Sequence, residues 1–465
     1  MNSRKPLWPV LAILFLVTDI CAAQAVASAR IKPSTDNPRY WEYKSKPVVL
    51  LGGSIEDNLF QIPDLAEHLD LLAAAGGNYI RNTMSSRDEG NVWPFHQQED
   101  GKYDLERLND EYFERMESLL RFTRERDIIV QIEVWDRFDF AMKPWLSNPY
   151  RPANNVNYTP DASHLKNDYP DHPGNNANPF FRTVPALDNN EVVLKFQQAQ
   201  VDRLLALSLQ CPNVLYCMDN ETSADEAWGA YWNDYIKKKA AALGVDVCTT
   251  EMWDPWNLKD SMHRRTLDHP ETYAFVDVSQ NNHNKGQAHW DNLAWAWAHV
   301  SASPRPLNCV KVYGADTGKY GTDQDGQERF WRGLVGGAAG VRFHRPDSGL
   351  GLSEIAQASI RSARMLTQDF DFSRAIPDVE SKLLREREPN EAYVSRIDTD
   401  QYVVYFPKQG SVLLDASGSA GPFTLRWLDI AKSEWREPQE IANKELIAID
   451  TPADGPWAVL VFGSK

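Results

Sequence analysis

From about residue 45 to residue 375, short apolar runs alternate with longer amphipathic stretches. Each apolar run is bounded by turn residues and predicts a buried strand, whereas each amphipathic stretch predicts a helix. The stretch Asp104–Arg126 predicts one such helix, because apolar or small side chains recur at three- and four-residue steps from Leu108 to Thr123. Strand and helix signals repeated in this way predict an α/β protein with a (β/α)8 TIM barrel, assigned to residues 26–375.

A doubly wound open sheet is the alternative fold, but no glycine-rich phosphate-binding loop follows the first strand. The third strand–helix connection, residues 136–187, is rich in Asn, Pro, Asp and Tyr and has little periodicity. A connection this long, leaving the carboxyl end of a barrel strand, predicts a wall of a substrate cleft. The predicted strands are Pro47–Gly52, Asn78–Thr83, Ile128–Val134, Val214–Asp219, Val245–Thr250, Tyr273–Val278, Leu307–Tyr313 and Val341–His344.

The pattern changes after Ala375, where short apolar runs follow one another without helical stretches between them. Such spacing predicts a small all-β antiparallel sandwich domain over residues 376–465. Strand Trp457–Phe462 is apolar throughout and is expected to be central in its sheet. The predicted strands are Glu391–Ile397, Tyr402–Phe406, Ser411–Ala416, Phe423–Leu428, Trp435–Glu440, Leu446–Ile449 and Trp457–Phe462.

The first 25 residues resemble a secretory signal peptide. Arg4 and Lys5 precede a short apolar run, Leu7–Val17, and small residues stand at Ala23 and Ala25. This pattern predicts cleavage after Ala25 and a secreted, periplasmic or cell-surface protein, with an uncleaved anchor as the alternative. No membrane association is expected once the signal is removed.

Composition narrows the classes of function. The net charge is −16 and no basic patch stands out, which excludes a nucleic-acid partner. The 16 Trp, 17 Tyr and 18 Phe favour flat, CH-rich ligands such as sugars, so a poly- or oligosaccharide is the expected partner. The cysteines lack zinc-site spacings, and no metal or organic cofactor is predicted.

Candidate chemistry lies at the strand ends, because barrel enzymes place their active sites at the carboxyl ends of the strands. Asn220 and Glu221 follow the fourth strand. The Glu carboxyl can protonate a leaving glycosidic oxygen, and the Asn amide can hydrogen-bond a neighbouring hydroxyl. The alternative is structural, with these residues opening the next helix as its cap.

Polar or aromatic residues follow the other strands too, and together they predict an acid-equipped cleft that binds hydroxyl groups. Strand five ends in Glu251, Met252, Trp253 and Asp254. Trp135 and Trp253 are expected to stack on sugar faces, whereas the remaining candidates would bind sugar hydroxyls or carboxylates. The predicted substrate-binding residues are Arg81, Asn220, Trp135, Trp253, His283, Tyr313, His344 and Arg345.

On these residues the chain resembles the clan A glycoside hydrolase barrels. Their acid/base is the Glu of an Asn-Glu pair after strand four, which matches Asn220 and Glu221, and Arg81 matches their Arg after strand two. The tail resembles the collagen-binding-type sandwich appended to apiosidase-like and cellulase-like secreted bacterial barrels. The resemblance implies a secreted glycoside hydrolase with Glu221 as general acid.

Strand seven departs from that resemblance. Clan A barrels carry a nucleophilic Glu at its end, but here Lys311 stands about where the Glu is expected. The second carboxylate is therefore predicted to be Asp316 or Glu251, with Glu133 and Asp277 as weaker candidates. Its distance from Glu221 would decide between retention and inversion.

Two rival functions follow from the same lysine. A barrel that binds carbohydrate without cleaving it would explain the missing Glu. A polysaccharide lyase, which is less favoured, would use Lys311 and Arg345 as a base and a clamp for uronate.

Overall fold

The computed structural model describes residues 29–315, 318–419, 422–442 and 445–463. The predicted signal peptide, residues 1–25, lies outside these ranges. Across the described residues, no helix is both long and apolar enough to cross a bilayer. Cys211, Cys217, Cys248 and Cys309 are all free and buried, consistent with use as small apolar side chains.

The centre of the described chain is a parallel sheet of eight strands, numbered β1 to β8 in chain order. Along the hydrogen-bonded ladder they follow the order β5, β4, β3, β2, β1, β8, β7, β6. Two contacts bridge the remaining gap between β5 and β6: Ala274 N donates to Thr249 O at 3.1 Å, and Asp277 N donates to Thr250 Oγ1 at 3.3 Å. The strands are Leu50–Gly53, Tyr79–Thr83, Ile129–Asp136, Val214–Asn220, Thr249–Thr250, Val276–Asp277, Leu307–Val312 and Gly340–Phe343.

A helix follows each of these strands in the described chain, and the nearly closed ring of strands inside eight helices confirms the predicted TIM barrel. The helices, α1 to α8, are Leu65–Ala74, Asp110–Glu125, Glu191–Ser208, Glu226–Ala242, Ser261–Leu267, Gly286–His299, Asp323–Val335 and Glu354–Asp369.

The prediction of one helix over Asp104–Arg126 was wrong at its start. Residues Tyr103–Leu108 form a strand that pairs with Phe95–Gln97 in a hairpin. Helix α2 begins only at Asp110, because the side chain of Asn109 accepts a hydrogen bond from the Glu111 amide and caps the helix there.

The long connection at residues 136–187 is ordered by aromatic packing. Phe140 stacks on Phe180 with ring centroids 4.0 Å apart, and Trp145 and Tyr150 are buried beside them. Short helical turns link these anchors, which explains why the segment shows little periodicity in sequence.

The tail contains antiparallel strands in two sheets, as an all-β domain predicts. Strands β9 to β18 are Ile376–Pro377, Leu384–Arg385, Tyr393–Ile397, Gln401–Phe406, Ser411–Asp415, Phe423–Asp429, Glu434–Trp435, Gln439–Ile441, Leu446–Asp450 and Trp457–Gly463. The larger sheet follows the order β9, β11, β12, β18, β14, β15, with β16 also paired to β14, and the smaller follows β10, β13, β17. Strand β18 is central, as expected, whereas the predicted strand Trp435–Glu440 is two short strands.

The larger tail sheet packs on both of its faces. Val403, Tyr405 and Leu460 belong to the same apolar cluster as the barrel, whereas the alternate residues Val404 and Val459 face the smaller sheet. The first strand of the tail, β9, begins at the predicted boundary after residue 375, but one apolar core extends across that boundary. The division into two domains at residue 375 therefore stays a prediction.

This shared core makes a stability prediction. Leu460→Ala, which removes a buried side chain on the barrel-facing side, should lower the free energy of unfolding by about 2–5 kcal/mol. Wild type should melt in a single calorimetric transition. The control Leu446→Ala, at a leucine that is 44% exposed, should change the free energy of unfolding little. A separate low-temperature transition for the tail would contradict the shared core.

Candidate active site

The carboxyl ends of β4 and β7 meet across the barrel mouth. Asn220 ends β4, and Glu221 follows it in the left-handed region at φ 53°. The ammonium of Lys311 on β7 donates to Asn220 Oδ1 at 2.6 Å and to Glu221 Oε1. The hydroxyl of Tyr313 donates to the same Glu221 oxygen at 3.4 Å. These strands are not neighbours in the sheet, so the contacts cross the barrel interior.

A β-bulge explains how Lys311 reaches this position. Between Cys309 and Val312, three steps along β7 pair with two steps along β8. The extra residue shifts the inward–outward alternation. As a result Asn308, which bonds Tyr79 deep in the barrel, and Lys311, three residues later, both project inward.

Glu221 is held in its ionised form. Burial by itself raises the pKa of this carboxyl, but the charge of Lys311 and hydrogen bonds from Lys311 and Gln280 outweigh burial and lower the pKa to about 2. The side chain is still 17% exposed at the mouth. An ionised, partly accessible carboxylate suits a base or a nucleophile better than the general acid expected from the sequence.

Below this pair lies a charged floor. Arg81, fully buried, contacts Asp57 and Glu133, each at 2.7 Å. Burial raises the pKa of Asp57, but Arg81 and other neighbouring basic groups reverse the effect and hold the pKa well below its usual range. Burial raises the pKa of Glu133 to about 6 even though Arg81 opposes it. Arg81 is therefore fully buried beneath the mouth and paired with two carboxylates, which differs from its predicted role as an open sugar-binding residue.

An aromatic platform borders Glu221 on the side of β5 and β6. Trp256 is 59% exposed and stacks on His283, with ring centroids 4.1 Å apart and planes 8° apart. Burial lowers the pKa of His283 to about 4, so its ring is neutral at pH 7. The outer face of Trp256 is open to solvent. The platform consists of Trp256, His283, Tyr313 and Tyr320.

The two tryptophans predicted to stack on sugar present no free face. Trp135 is 1% exposed and lies among Phe180 and Trp232, with centroids at 5.4 and 5.2 Å. Trp253 is equally buried, and Arg265 covers its ring. Both predictions were wrong because position after a strand does not reveal side-chain direction. Trp256, three residues beyond Trp253, was missed although its ring is the exposed one.

Glu251 cannot be the partner of Glu221. It is 1% exposed, and its Oε1 accepts hydrogen bonds from the amides of Asp219 and Met252. Its Oε2 points at α4, where a Cβ on Gly229 would lie only 2.4 Å away. The prediction was wrong because the side chain projects outward from the barrel. Asp316, the other predicted partner, lies outside the described residues.

The weaker carboxylate candidates are structural supports. Asp277 accepts hydrogen bonds from Ser279 N at 2.8 Å and from Gln131 Nε2 at 3.1 Å, deep in the barrel. Glu133 is paired with Arg81, as described above. Neither carboxyl is exposed at the mouth.

Residues after β8 frame the opposite edge of the mouth. His344 packs against Tyr313 with centroids 4.9 Å apart and is 5% exposed. Arg345 is held by Asp347 at 2.9 Å and by Glu56 at 3.3 Å. Of the predicted binding residues, the structure therefore brings Asn220, His283 and Tyr313 closest to Glu221, whereas His344 and Arg345 brace the rim.

Asp254 was not given a role from the sequence, although it stands at the end of β5. Its amide donates to Thr222 O at 3.0 Å, which places it beside the Glu221 loop. Burial, and then the charge of Glu221, raises the pKa of its carboxyl. No group of three or more His, Cys, Asp or Glu among the described residues is arranged to hold a metal ion.

Comparisons with known proteins place the fold. No family profile matches the sequence, and neither does any curated protein. A structure titled as a glycoside hydrolase family 5 protein from Bacteroides vulgatus matches with a TM-score of 0.64 at 11% identity, covering 94% of each chain. Another, titled glycoside hydrolase, matches with a TM-score of 0.65 at 12% identity, covering 95% of this chain and 98% of the other.

A smaller share of the chain matches a family 5 mannosidase from Rhizomucor miehei, whose structure contains mannosyl-fructose. The TM-score is 0.51 at 10% identity, covering 74% of this chain and 98% of the mannosidase. At such identities these similarities establish the barrel fold.

The Lys311–Glu221 pair makes a pH-dependent prediction. In wild type the lowered pKa of Glu221 contributes stability above about pH 4.5 that is lost as the pH falls toward 2. In Lys311→Met the two largest opposing effects are gone, and burial is opposed mainly by the weaker effects of Gln280 and Arg81. The pKa of Glu221 should therefore rise, and its ionised carboxyl should destabilise the fold as the pH rises.

We therefore expect Lys311→Met to lose about 3–5 kcal/mol of unfolding free energy at pH 7 and clearly less at pH 4.5, measured by denaturant unfolding. Lys238→Met, at an exposed lysine of α4, serves as the control and should be nearly neutral at both values. An equal loss from Lys311→Met at both pH values would contradict the assignment.

Proposed function

We propose that this protein is a glycoside hydrolase that cleaves a poly- or oligosaccharide at the mouth of its barrel. The observation that carries the proposal is the placement of Glu221: an ionised carboxylate, fixed by Lys311, beside an aromatic platform with an open face. Carboxyl groups carry out glycosidic bond cleavage, and flat aromatic faces bind the apolar faces of sugar rings. The similarity of the fold to glycoside hydrolase structures supports the proposal.

Each group at the mouth has a role in this reaction. A sugar ring stacked on Trp256 would lie next to His283 and Tyr313, both within the platform that borders Glu221. The neutral His283 ring and the Tyr313 hydroxyl can bind sugar hydroxyls without adding charge. Asn220 orients Lys311, whose charge stabilises the carboxylate. Secretion through the N-terminal signal belongs to the same proposal.

A carbohydrate-binding barrel without catalysis is the second candidate, and Lys311 is the observation that favours it. A lysine paired with Glu221 could mark a site in which the chemistry has been lost. A lyase is less well supported, because Lys311 is bonded to Asn220 and Glu221 and Arg345 is bonded to acidic neighbours. Neither cation is a free clamp for a uronate.

The deciding experiment is a screen of wild type and Glu221→Gln against a panel of polysaccharides and oligosaccharides, following reducing-end release. We expect wild type to release reducing ends, and we expect the rate of release by Glu221→Gln to be at least about 100-fold lower. Glu226→Gln, an exposed Glu at the start of α4, is the matched control and should retain activity. Binding of a glycan by wild type without release would instead establish the binding barrel.

The platform makes a separate prediction. Trp256→Ala should raise KM on the cleaved glycan between about threefold and tenfold and change kcat less, because the ring supplies stacking and not chemistry. Trp295→Ala is a matched control, since Trp295 also stacks on a histidine, His299, with ring centroids 4.7 Å apart but at the end of α6. Equal KM values for the two variants would show that Trp256 does not contact the sugar.

A further inference from the structure

Glycosidic bond cleavage with a sugar leaving group requires a proton donor as well as a base or nucleophile. Glu221 meets the second requirement, because its contact with Lys311 keeps it ionised. The donor must be a different carboxyl, placed close to Glu221 and outside the influence of strong ion pairs.

Among the described acidic residues near the mouth, most are committed to other partners. Asp57 and Glu133 are paired with Arg81, and Glu56 is paired with Arg345. Asp219 and Glu251 face away from the barrel interior toward α4, through a contact of Asp219 with Trp228 and of Glu251 with Gly229.

Asp254 differs from all of these. Its side chain is half-buried. Only burial and the charges of neighbouring groups act on its carboxyl, without a hydrogen bond or ion pair from any described residue. Strand β5 adjoins β4 in the sheet, and beyond their ends Thr222 pairs with Trp253. That pairing sets Asp254 directly beside the loop that carries Glu221.

The insertion at residues 136–187 encloses the Asp254 carboxyl from the other side. A Cβ on Gly174 would lie 3.9 Å from Asp254 Oδ2, so the loop backbone approaches this oxygen closely. The loop is tied to the Glu221 side of the mouth, since Ser223 Oγ donates to Gly174 O at 3.1 Å. The insertion thereby lines one side of the carboxyl and is itself tied to the loop that carries Glu221.

The charged groups around Asp254 come from three elements. Glu221 follows β4, Lys311 lies on β7, and His172 and Arg137 belong to the insertion. Burial and the negative charge of Glu221 raise the pKa of Asp254, whereas the three basic groups oppose the rise without reversing it. Asp254 therefore has a higher proton affinity than Glu221, as the acid of an acid–base pair must have relative to its base.

We infer that Asp254 is the catalytic acid of the proposed glycoside hydrolysis, with Glu221 as its ionised partner; the inference rests on the proposed function. The Asp254 proton moves to the glycosidic oxygen as the bond between that oxygen and the anomeric carbon breaks. A water molecule adds to the anomeric carbon and gives its proton to Glu221. Afterwards the proton returns to Asp254 through solvent, and the bond has been hydrolysed.

The test compares leaving groups, because an activated phenol departs without protonation and a sugar or alcohol does not. The substrates are the 2,4-dinitrophenyl and methyl glycosides of glucose, mannose and xylose and of their β-1,4-linked disaccharides, together with the polysaccharide panel above. We expect Asp254→Asn to lose at least about 100-fold in kcat/KM on methyl glycosides and polysaccharide, and less than about tenfold on dinitrophenyl glycosides. In Asp254→Asn, the basic limb of the pH profile of kcat/KM should disappear for the dinitrophenyl substrates.

Three controls separate the possible outcomes. Asp246→Asn, at an exposed Asp preceding the opposite end of β5, should retain activity on both leaving groups. Glu221→Gln should lose activity on both, because every substrate needs the base. Asp254→Ser replaces Asp254→Asn if the latter does not keep the wild-type melting temperature.

The results distinguish the inference from the function it rests on. If wild type cleaves these substrates but Asp254 variants lose nothing, or lose equally on both leaving groups, the acid assignment is overturned and the hydrolase stands. If wild type cleaves none of them, the proposed hydrolase is overturned together with its acid.

Discussion

The barrel mouth depends on one ion pair, in which Lys311 of β7 reaches across the interior to Glu221 beyond β4. Two charges withdrawn from water are stable only when their remaining hydrogen-bonding capacity is used. Here Asn220 accepts a hydrogen bond from the ammonium and Tyr313 donates to the carboxylate. Glu221 also adopts a left-handed backbone conformation that few non-glycine residues take up, so the pair and the turn support each other.

The charged floor extends this arrangement into the barrel. Arg81 bridges Asp57 and Glu133, and Arg342 approaches Asp57 at 3.3 Å. The positive groups of the floor also lower the proton affinity of Glu221, since Arg81 adds to the effect of Lys311. The field at the mouth is thus set in part by buried groups that are already fixed in place by their ion pairs.

Sequence periodicity was sufficient to predict the barrel and the all-β tail, because each strand and helix signal is local. The site could be predicted only in part. Asn220 and Glu221 stand at the end of a long strand that the sequence marks clearly, whereas the inward direction of Lys311 depends on a bulge that leaves no mark in the sequence. Likewise Glu251 and Trp253 stand beyond a strand end but are buried against α4 and Arg265, and their position in the sequence does not reveal that direction.

The position of Lys311 beside Glu221 determines what the rest of the proposed hydrolase site must supply. A cation beside Glu221 stabilises its ionised form, so the same carboxyl cannot also hold a proton for a leaving group at neutral pH. The proton must then reside on a carboxyl farther from the ammonium and nearer to the negative charge of Glu221. Strand β5 is the neighbour of β4 in the ladder, and the insertion closes over its end through Gly174. The lysine is therefore the reason that the inferred proton donor is Asp254, beyond the end of the adjacent strand, and not Glu221 itself.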